Sequence, residues 1–192
     1  MNESRQYRLS NNTKEYLSEF HYILDAMIQG MTEVKLTDSI SHNFIVQMIP
    51  HHQAAIEMSR NLLKYTTNIP LQDMAQGIIT EQAKSIENMR KILCDCSELD
   101  NSKRDACLYE RRTKQIMETM FSRMGNACAN NQIDGNFMRE MIPHHEGAIE
   151  MSRNALKYDI VSSLKPILKE IITSQEKGII QMERLLKEMR CE

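Results

Sequence analysis

Two adjacent histidines occur twice in this chain, each time inside the same run of residues, 48–61 and 141–154, which we call the first and second copies. Wound as an α-helix at about 100° per residue, each copy turns its histidines and two methionines toward one face. These residues are Met48, His51, His52 and Met58 in the first copy and Met141, His144, His145 and Met151 in the second. Buried imidazoles need partners, and a metal ion would use imidazole and thioether together. We therefore predict that these residues bind metal.

The donor types indicate a soft ion. Di-iron sites in helical bundles place a Glu three residues before the histidine, whereas Met48 and Met141 stand at that position here. Imidazole and thioether suit Cu(I) and, by the same softness, Ag(I), while Zn(II) is a second choice that gains little from methionine. We expect Gln82 and Gln175, on the inward faces of their helices, to accept a hydrogen bond from the ring nitrogen that does not bind the metal.

Hydrophobic spacing predicts six helices to position these side chains, over 13–33, 38–66, 70–93, 104–125, 131–159 and 163–190. Thr37-Asp38 offers an N-cap for the second helix. Pro50 lies inside that helix and removes one of its hydrogen bonds, so we expect a bend or a new turn just before His51. The polar stretch from Cys94 to Ser102 predicts a linker between two halves.

The three-helix pattern returns at a constant offset of 93 residues without a gap. Between 48–89 and 141–182, 23 of 42 aligned positions are identical. Such agreement marks an internal duplication. Each half alone would leave an apolar face uncovered, so we predict an all-α bundle in which the halves, 1–97 and 98–192, pack as one domain about a pseudo-two-fold axis.

Composition excludes several partners. The 192 residues carry 24 basic and 26 acidic side chains, a net charge of -2, without the basic footprint of a nucleic-acid-binding protein. No stretch approaches the roughly 20 apolar residues of a spanning helix, and residues 1–9 lack a secretory signal. As it stands the sequence predicts a cytoplasmic protein, or an extracytoplasmic one if an export signal was removed. A metal ion is the expected partner, with a homodimer or a metal-donor protein left open.

The other histidines, methionines and cysteines have ordinary interpretations. His21 and His42 lack a histidine at the matching repeat position and are expected to be surface or locally satisfied residues. Met27, Met31 and their repeat partners are expected in the core. Five cysteines leave at least one free or paired between chains, and Cys94-Asp95-Cys96, in the unrepeated linker, is expected to be structural or incidental.

The repeated motif carries a resemblance. Met-Ile-Pro followed by His-His-x-x-Ala-x-x-Met, and then a helix with Ile-Ile-x-x-Gln-x-x-x-Ile-x-x-Met, resembles a bacterial ferritin-like family still labelled a domain of unknown function (number 305), which includes a cyanobacterial copper-binding protein. The resemblance implies a ferritin-like bundle, export in many members, and a role for the His-His-Met residues of both copies. The chain departs from the family at Ser85 and Gly178, where many members have Glu.

Two classes of function follow, with a third if no metal binds. The first is a non-catalytic protein for soft ions, in metal buffering, delivery or tolerance, and the ligand set favours it. The second is a ferritin-like metalloenzyme acting on oxygen or peroxide, which would need carboxylates and open positions on a redox metal. The third is a metal-free helical interaction module, in which the histidines form a polar network between the halves. Metal binding should fade below about pH 6.5, the ordinary histidine pKa.

Overall fold

The structure is a computed structural model that describes residues 8–96 and 99–189. In these residues it contains six helices and no strand, which confirms the all-helical prediction. The helices are α1 (Asn11–Thr32), α2 (Ile40–Leu63), α3 (Ile69–Cys96), α4 (Lys103–Gly125), α5 (Ile133–Ala155) and α6 (Leu164–Met189). No helix in the described ranges has the length and apolarity needed to cross a membrane.

Serine residues are the N-caps of three of the six helices. Ser10, Ser39 and Ser102 each accept a hydrogen bond from the backbone N–H three residues on, which satisfies an otherwise unpaired donor of the first turn. The prediction of Thr37-Asp38 as the N-cap of α2 was therefore wrong. Thr37 instead exchanges backbone hydrogen bonds with the side chain of Asn43.

Helix α2 continues through Pro50, so no new helix begins just before His51; the other predicted outcome, a bend in the helix, stays a prediction. Proline costs the helix one hydrogen bond, a loss that tertiary packing can offset. Pro50 packs closely against α1 at Gly30, where an added Cβ would lie 2.8 Å from the Cβ of Pro50. The absence of a side chain at Gly30 thus lets α1 and α2 approach each other at the proline.

The end of α3 falls later than predicted. The helix continues past Leu93 to Cys96, so the pair Cys94 and Cys96 belongs to its last turn rather than to the linker. Cys94, Cys96, Cys107 and Cys128 are free thiols. Burial raises the pKa of the Cys96 thiol to about 11, which keeps it protonated and poorly reactive. Cys191 lies outside the described residues.

Helices α2 and α5 pack against each other at the centre of the bundle. Helix α2 also packs against α1 and α3, helix α5 packs against α4 and α6, and α3 contacts α6. The core between them is rich in methionine, as predicted, and includes the fully buried Met27, Met31, Met89, Met120, Met124 and Met182. Both histidine copies therefore lie on the two most enclosed helices.

Candidate metal centre

The histidines of the two copies meet where α2 and α5 cross. The rings of His51 and His144 stack with centroids 3.6 Å apart. Nε2 of His51 donates to the carbonyl oxygen of His144 at 3.1 Å, and Nε2 of His144 donates to the carbonyl oxygen of His51 at 3.0 Å. This reciprocal pair ties residues 93 positions apart across the interface.

The hydrogen bonds of His51 and His144 determine their tautomer. A carbonyl oxygen only accepts, so the Nε2 atoms carry the proton and each Nδ1 keeps a free lone pair. The Nδ1 atoms of His51, His52, His144 and His145 are all buried without a hydrogen-bond partner. Each such unpaired group destabilises the folded state by about 1–3 kcal/mol, so four of them together are unusual in a protein core.

The outer histidines flank this stack. The ring of His52 lies 5.8 Å from that of His51, and the ring of His145 lies 5.9 Å from that of His144. Nε2 of His52 hydrogen-bonds to the hydroxyl of Ser85 at 3.0 Å. The matching residue beside His145 is Gly178. The four rings therefore form a continuous row, which we call the histidine row.

Burial keeps the histidine row neutral. Desolvation lowers the pKa of His52 to about 3 and that of His144 to about 4. It also holds the pKa of His51 and His145 well below the usual value, helped by the neighbouring histidines. The rings are thus unprotonated at neutral pH, the state that a metal ligand requires.

The remaining predicted ligands are buried but their contacts differ from the expectation. Met48, Met58, Met141 and Met151 are at most 1% exposed and belong to the core. The expected hydrogen bonds from the histidines to Gln82 and Gln175 are not formed: backbone carbonyls and Ser85 accept from or bond to Nε2 of His51, His144 and His52, and His145 makes no hydrogen bond to any described residue. The Oε1 atoms of both glutamines are buried without a partner.

The described residues contain no group of three or more His, Cys, Asp or Glu side chains that could hold a metal ion. A site of three or more protein ligands in the histidine row must therefore include other donors, and the thioethers are the predicted ones. His21 and His42 take no part, as expected. Nδ1 of the exposed His21 bonds to the carbonyl of Leu17, and His42 bonds to Asn43.

One buried acid was missed by the sequence analysis. Tyr16 of α1 donates a 2.6 Å hydrogen bond to Oε2 of Glu140 on α5. Burial raises the pKa of Glu140 to about 7 and that of Tyr16 well above its usual value. A signal was available, since Glu140 precedes His144 by one helical turn on the inward face and its repeat partner is the neutral Gln47.

Fold and site together define an all-helical bundle protein with a buried histidine row between its two central helices. The family model described as a domain of unknown function (DUF305) matches residues 41–186, and the chain belongs to this family.

A crystal structure of a DUF305 fragment from Deinococcus radiodurans is similar to this chain, with a TM-score of 0.57 and 21% identity. The match covers 78% of this chain and 96% of that one. At this identity the likeness supports the fold alone. No curated protein matches the chain.

Proposed function

We propose that this protein binds soft cations in the histidine row, with Cu(I) as the physiological candidate, for metal buffering, delivery or tolerance. The observation that carries the proposal is the set of four buried imidazoles whose Nδ1 atoms have no partner. Histidines that bind metal commonly donate their other ring N–H to a carbonyl, as His51 and His144 do. The residues present therefore fit a metal ion, and a metal-donor protein is the corresponding partner.

The donor set supports a soft ion over zinc. Because the imidazoles need additional donors, the buried thioethers of Met48, Met58, Met141 and Met151 complete the set. These ligands are all neutral, and thioether selects Cu(I) and Ag(I) over Zn(II). Burial of the histidine row also removes competition from protons at neutral pH.

The proposal includes two tandem three-helix repeats, related by a pseudo-two-fold axis, that form one ferritin-like domain. Hydrogen bonds that recur at the 93-residue offset support it. Asn61 donates to the carbonyl of Tyr16 at 3.0 Å, and Asn154 donates to the carbonyl of Tyr109 at 3.2 Å. The reciprocal bonds of His51 and His144 follow the same offset. On this arrangement the metal lies between the repeats and uses both.

A metal-free helical module is the second candidate, and the same reciprocal hydrogen bonds favour it, because they already join the halves without an ion. The metalloenzyme alternative would need carboxylate ligands. Ser85 and Gly178 stand against His52 and His145, at positions where such acids would face the histidines.

Anaerobic titration with Cu(I), Ag(I) and Zn(II), with chelator competition and elemental analysis, tests the proposal. We expect Cu(I) to bind more tightly than Zn(II). Replacing His51 and His52, or His144 and His145, with Gln should lower the stoichiometry by at least half. Gln can still donate to the facing carbonyl, so the fold should persist. Met58→Leu and Met151→Leu should weaken Cu(I) binding at a stability cost below about 1.5 kcal/mol.

The matched control is His21→Gln with His42→Gln, which removes two histidines outside the histidine row and should leave the stoichiometry unchanged. If the Gln pairs in the histidine row also keep full stoichiometry and affinity, the metal-free module is the better description. Zinc binding more tightly than Cu(I) would contradict the choice of a soft ion.

A further inference from the structure

The two ends of the histidine row differ in what covers them. At one end a cavity of about 520 Å³ lies between α3 and α6, and its lining includes His145, Gln82, Gln175 and Gly178. This volume falls within the range of small-ligand sites. At the other end a smaller cavity of about 200 Å³ borders His52 and Ser85.

Residue 178 determines how His145 meets the larger cavity. A Cβ added to Gly178 would lie 2.8 Å from Cδ2 and 2.9 Å from Nε2 of His145, too close for the ring to stay where it is. The imidazole edge therefore rests against a residue without a side chain. In the first copy Ser85 has that side chain, and its hydroxyl covers Nε2 of His52 at 3.0 Å.

The Nε2 atoms of His52 and His145 consequently differ in whether they are free to bind a ligand. Nε2 of His52 is bonded to Ser85, and those of His51 and His144 are bonded to carbonyls. Nε2 of His145 makes no hydrogen bond to any described residue, and His145 is 2% exposed where the other three histidines of the row are 0% exposed. His145 is thus the one member of the histidine row, within the described chain, with an uncommitted nitrogen at its accessible edge.

The cavity also offers polar atoms that suit a small cation. The Oε1 atoms of Gln82 and Gln175, residues that border both cavities, are buried without a partner and can accept hydrogen bonds from the water around a cation. Arg184 and Glu188 in the lining pair with each other at 2.8 Å. In the described part of the chain no ion pair involves the other lining carboxylates, Asp73 and Glu81.

We infer that His145 is the entry point of the histidine row: a soft monovalent cation reaches it through the cavity between α3 and α6 and meets the unbonded Nε2 of His145 first, close to Gln82 and Gln175. Ser85 closes the equivalent position in the first copy. The identity of the cation rests on the proposed function, whereas the difference in access between His145 and His52 does not.

Labelling of the metal-free protein with diethyl pyrocarbonate, which modifies unprotonated imidazole, measures this difference residue by residue through peptide mass spectrometry. We expect His145 to react at least about tenfold faster than His52, because His52 must first lose its bond to Ser85 by local opening. The exposed His21 sets the upper limit of reactivity in the same sample. Equal rates at His145 and His52 would overturn the inference.

Exchanging the two covering residues provides matched variants. The side chain added in Gly178→Ser should push the His145 ring away from the cavity and slow its labelling toward the rate of His52. Ser85→Gly should speed labelling of His52. Circular dichroism checks that each variant is folded. Should Gly178→Ser not fold, Ser85→Gly still decides, because an unchanged His52 rate in that variant contradicts the role assigned to Ser85.

The rate of Ag(I) binding, followed by stopped flow, separates this inference from the proposed function. Gly178→Ser should slow binding by about tenfold, in step with the labelling of His145. If the labelling pattern is as expected but the protein binds no Ag(I), the accessibility of His145 is supported and the metal function is rejected. Ag(I) binding with an unchanged rate in Gly178→Ser would reject the access route and retain the function.

Discussion

The Tyr16–Glu140 pair places one titratable group near neutrality inside the core. Burial is the largest cause of the raised pKa of Glu140, about 7, and it outweighs the hydrogen bond from Tyr16 and the nearby Arg139, which both lower it. The folded protein therefore holds a proton that the unfolded chain releases above its usual pKa of 4.5. The stability that comes from this proton is present below pH 4.5 and is lost as the pH rises toward 7.

Glu140→Gln should remove this pH dependence. Gln still accepts from Tyr16 without a charge, so we expect a gain in the free energy of unfolding on the order of 1–3 kcal/mol at pH 8 and little change at pH 4. Urea denaturation at the two pH values measures it. The mirror variant, Gln47→Glu, should destabilise more at pH 8 than at pH 4. If Glu140→Gln changed the free energy of unfolding equally at both pH values, folding would not raise the pKa of Glu140.

The sequence predicted which residues of the site are buried, but not what they contact. Helical spacing alone placed both histidine pairs, the methionines and Gln82 on inward faces, and all are buried. Spacing within one helix does not say which helix packs against it. The packing of α5 against α2, and with it the reciprocal bonds of His51 and His144, therefore could not be predicted. The expected role of Gln82 failed for the same reason, since Ser85, one turn further along, reaches His52 instead.

At the scale of elements, six helices were predicted with their ends within a few residues. Apolar periodicity reports the helix interior well, whereas an end depends on which polar side chain reaches the free N–H groups. Ser39 was overlooked for this reason. Pro50 shows a second limit, because α2 continues through it and the residue that it packs against, Gly30, lies on a different helix.

Gly30→Ala tests the contact between α1 and α2. A methyl group there would lie 2.8 Å from the Cβ of Pro50. Because the proline ring is rigid and cannot move aside, we expect a loss of about 1–3 kcal/mol in the free energy of unfolding. Gly77→Ala is the matched control, because nothing lies within 4 Å of the added Cβ. It should stabilise by about 0.5–1 kcal/mol through helix propensity. Equal effects of the two variants in thermal or urea denaturation would contradict the contact.

At the scale of the whole molecule, several hydrogen bonds join the two halves besides those of the histidine row. Asn131 accepts from the backbone N–H of Ser10, and Ser41 accepts from that of Val161. Asn101 accepts from the backbone N–H of Ile40 in α2, and within its own half it donates to the carbonyl of Asp159. These bonds add to the packing of α2 against α5 and to the Tyr16–Glu140 bond, so we expect the two halves to unfold together when the histidine row is protonated.

Protonation of the histidine row should therefore be the cause of acid unfolding in the metal-free protein. Below about pH 6.5 the unfolded chain takes up as many as four protons that the folded core excludes. Burial lowers the pKa of His52 to about 3 and that of His144 to about 4, and it holds the pKa of His51 and His145 well below the usual value. Stability then falls with falling pH from about 6.5 to 4, the opposite sign to Glu140, with a slope of up to about 1.4 kcal/mol per pH unit for each histidine.

Urea denaturation of the metal-free protein from pH 7 to 4.5 measures this slope, and His51→Gln with His144→Gln should reduce it by about half, because two of the four protons are no longer bound on unfolding. His21→Gln with His42→Gln, the matched control, should leave it unchanged. Bound Ag(I) should shift acid unfolding to lower pH, since an ion that binds only the folded state adds to its stability. Metal release is then expected to coincide with unfolding rather than with the ordinary histidine pKa. Release near pH 6.5 from a protein that is still folded would contradict the burial of the histidine row.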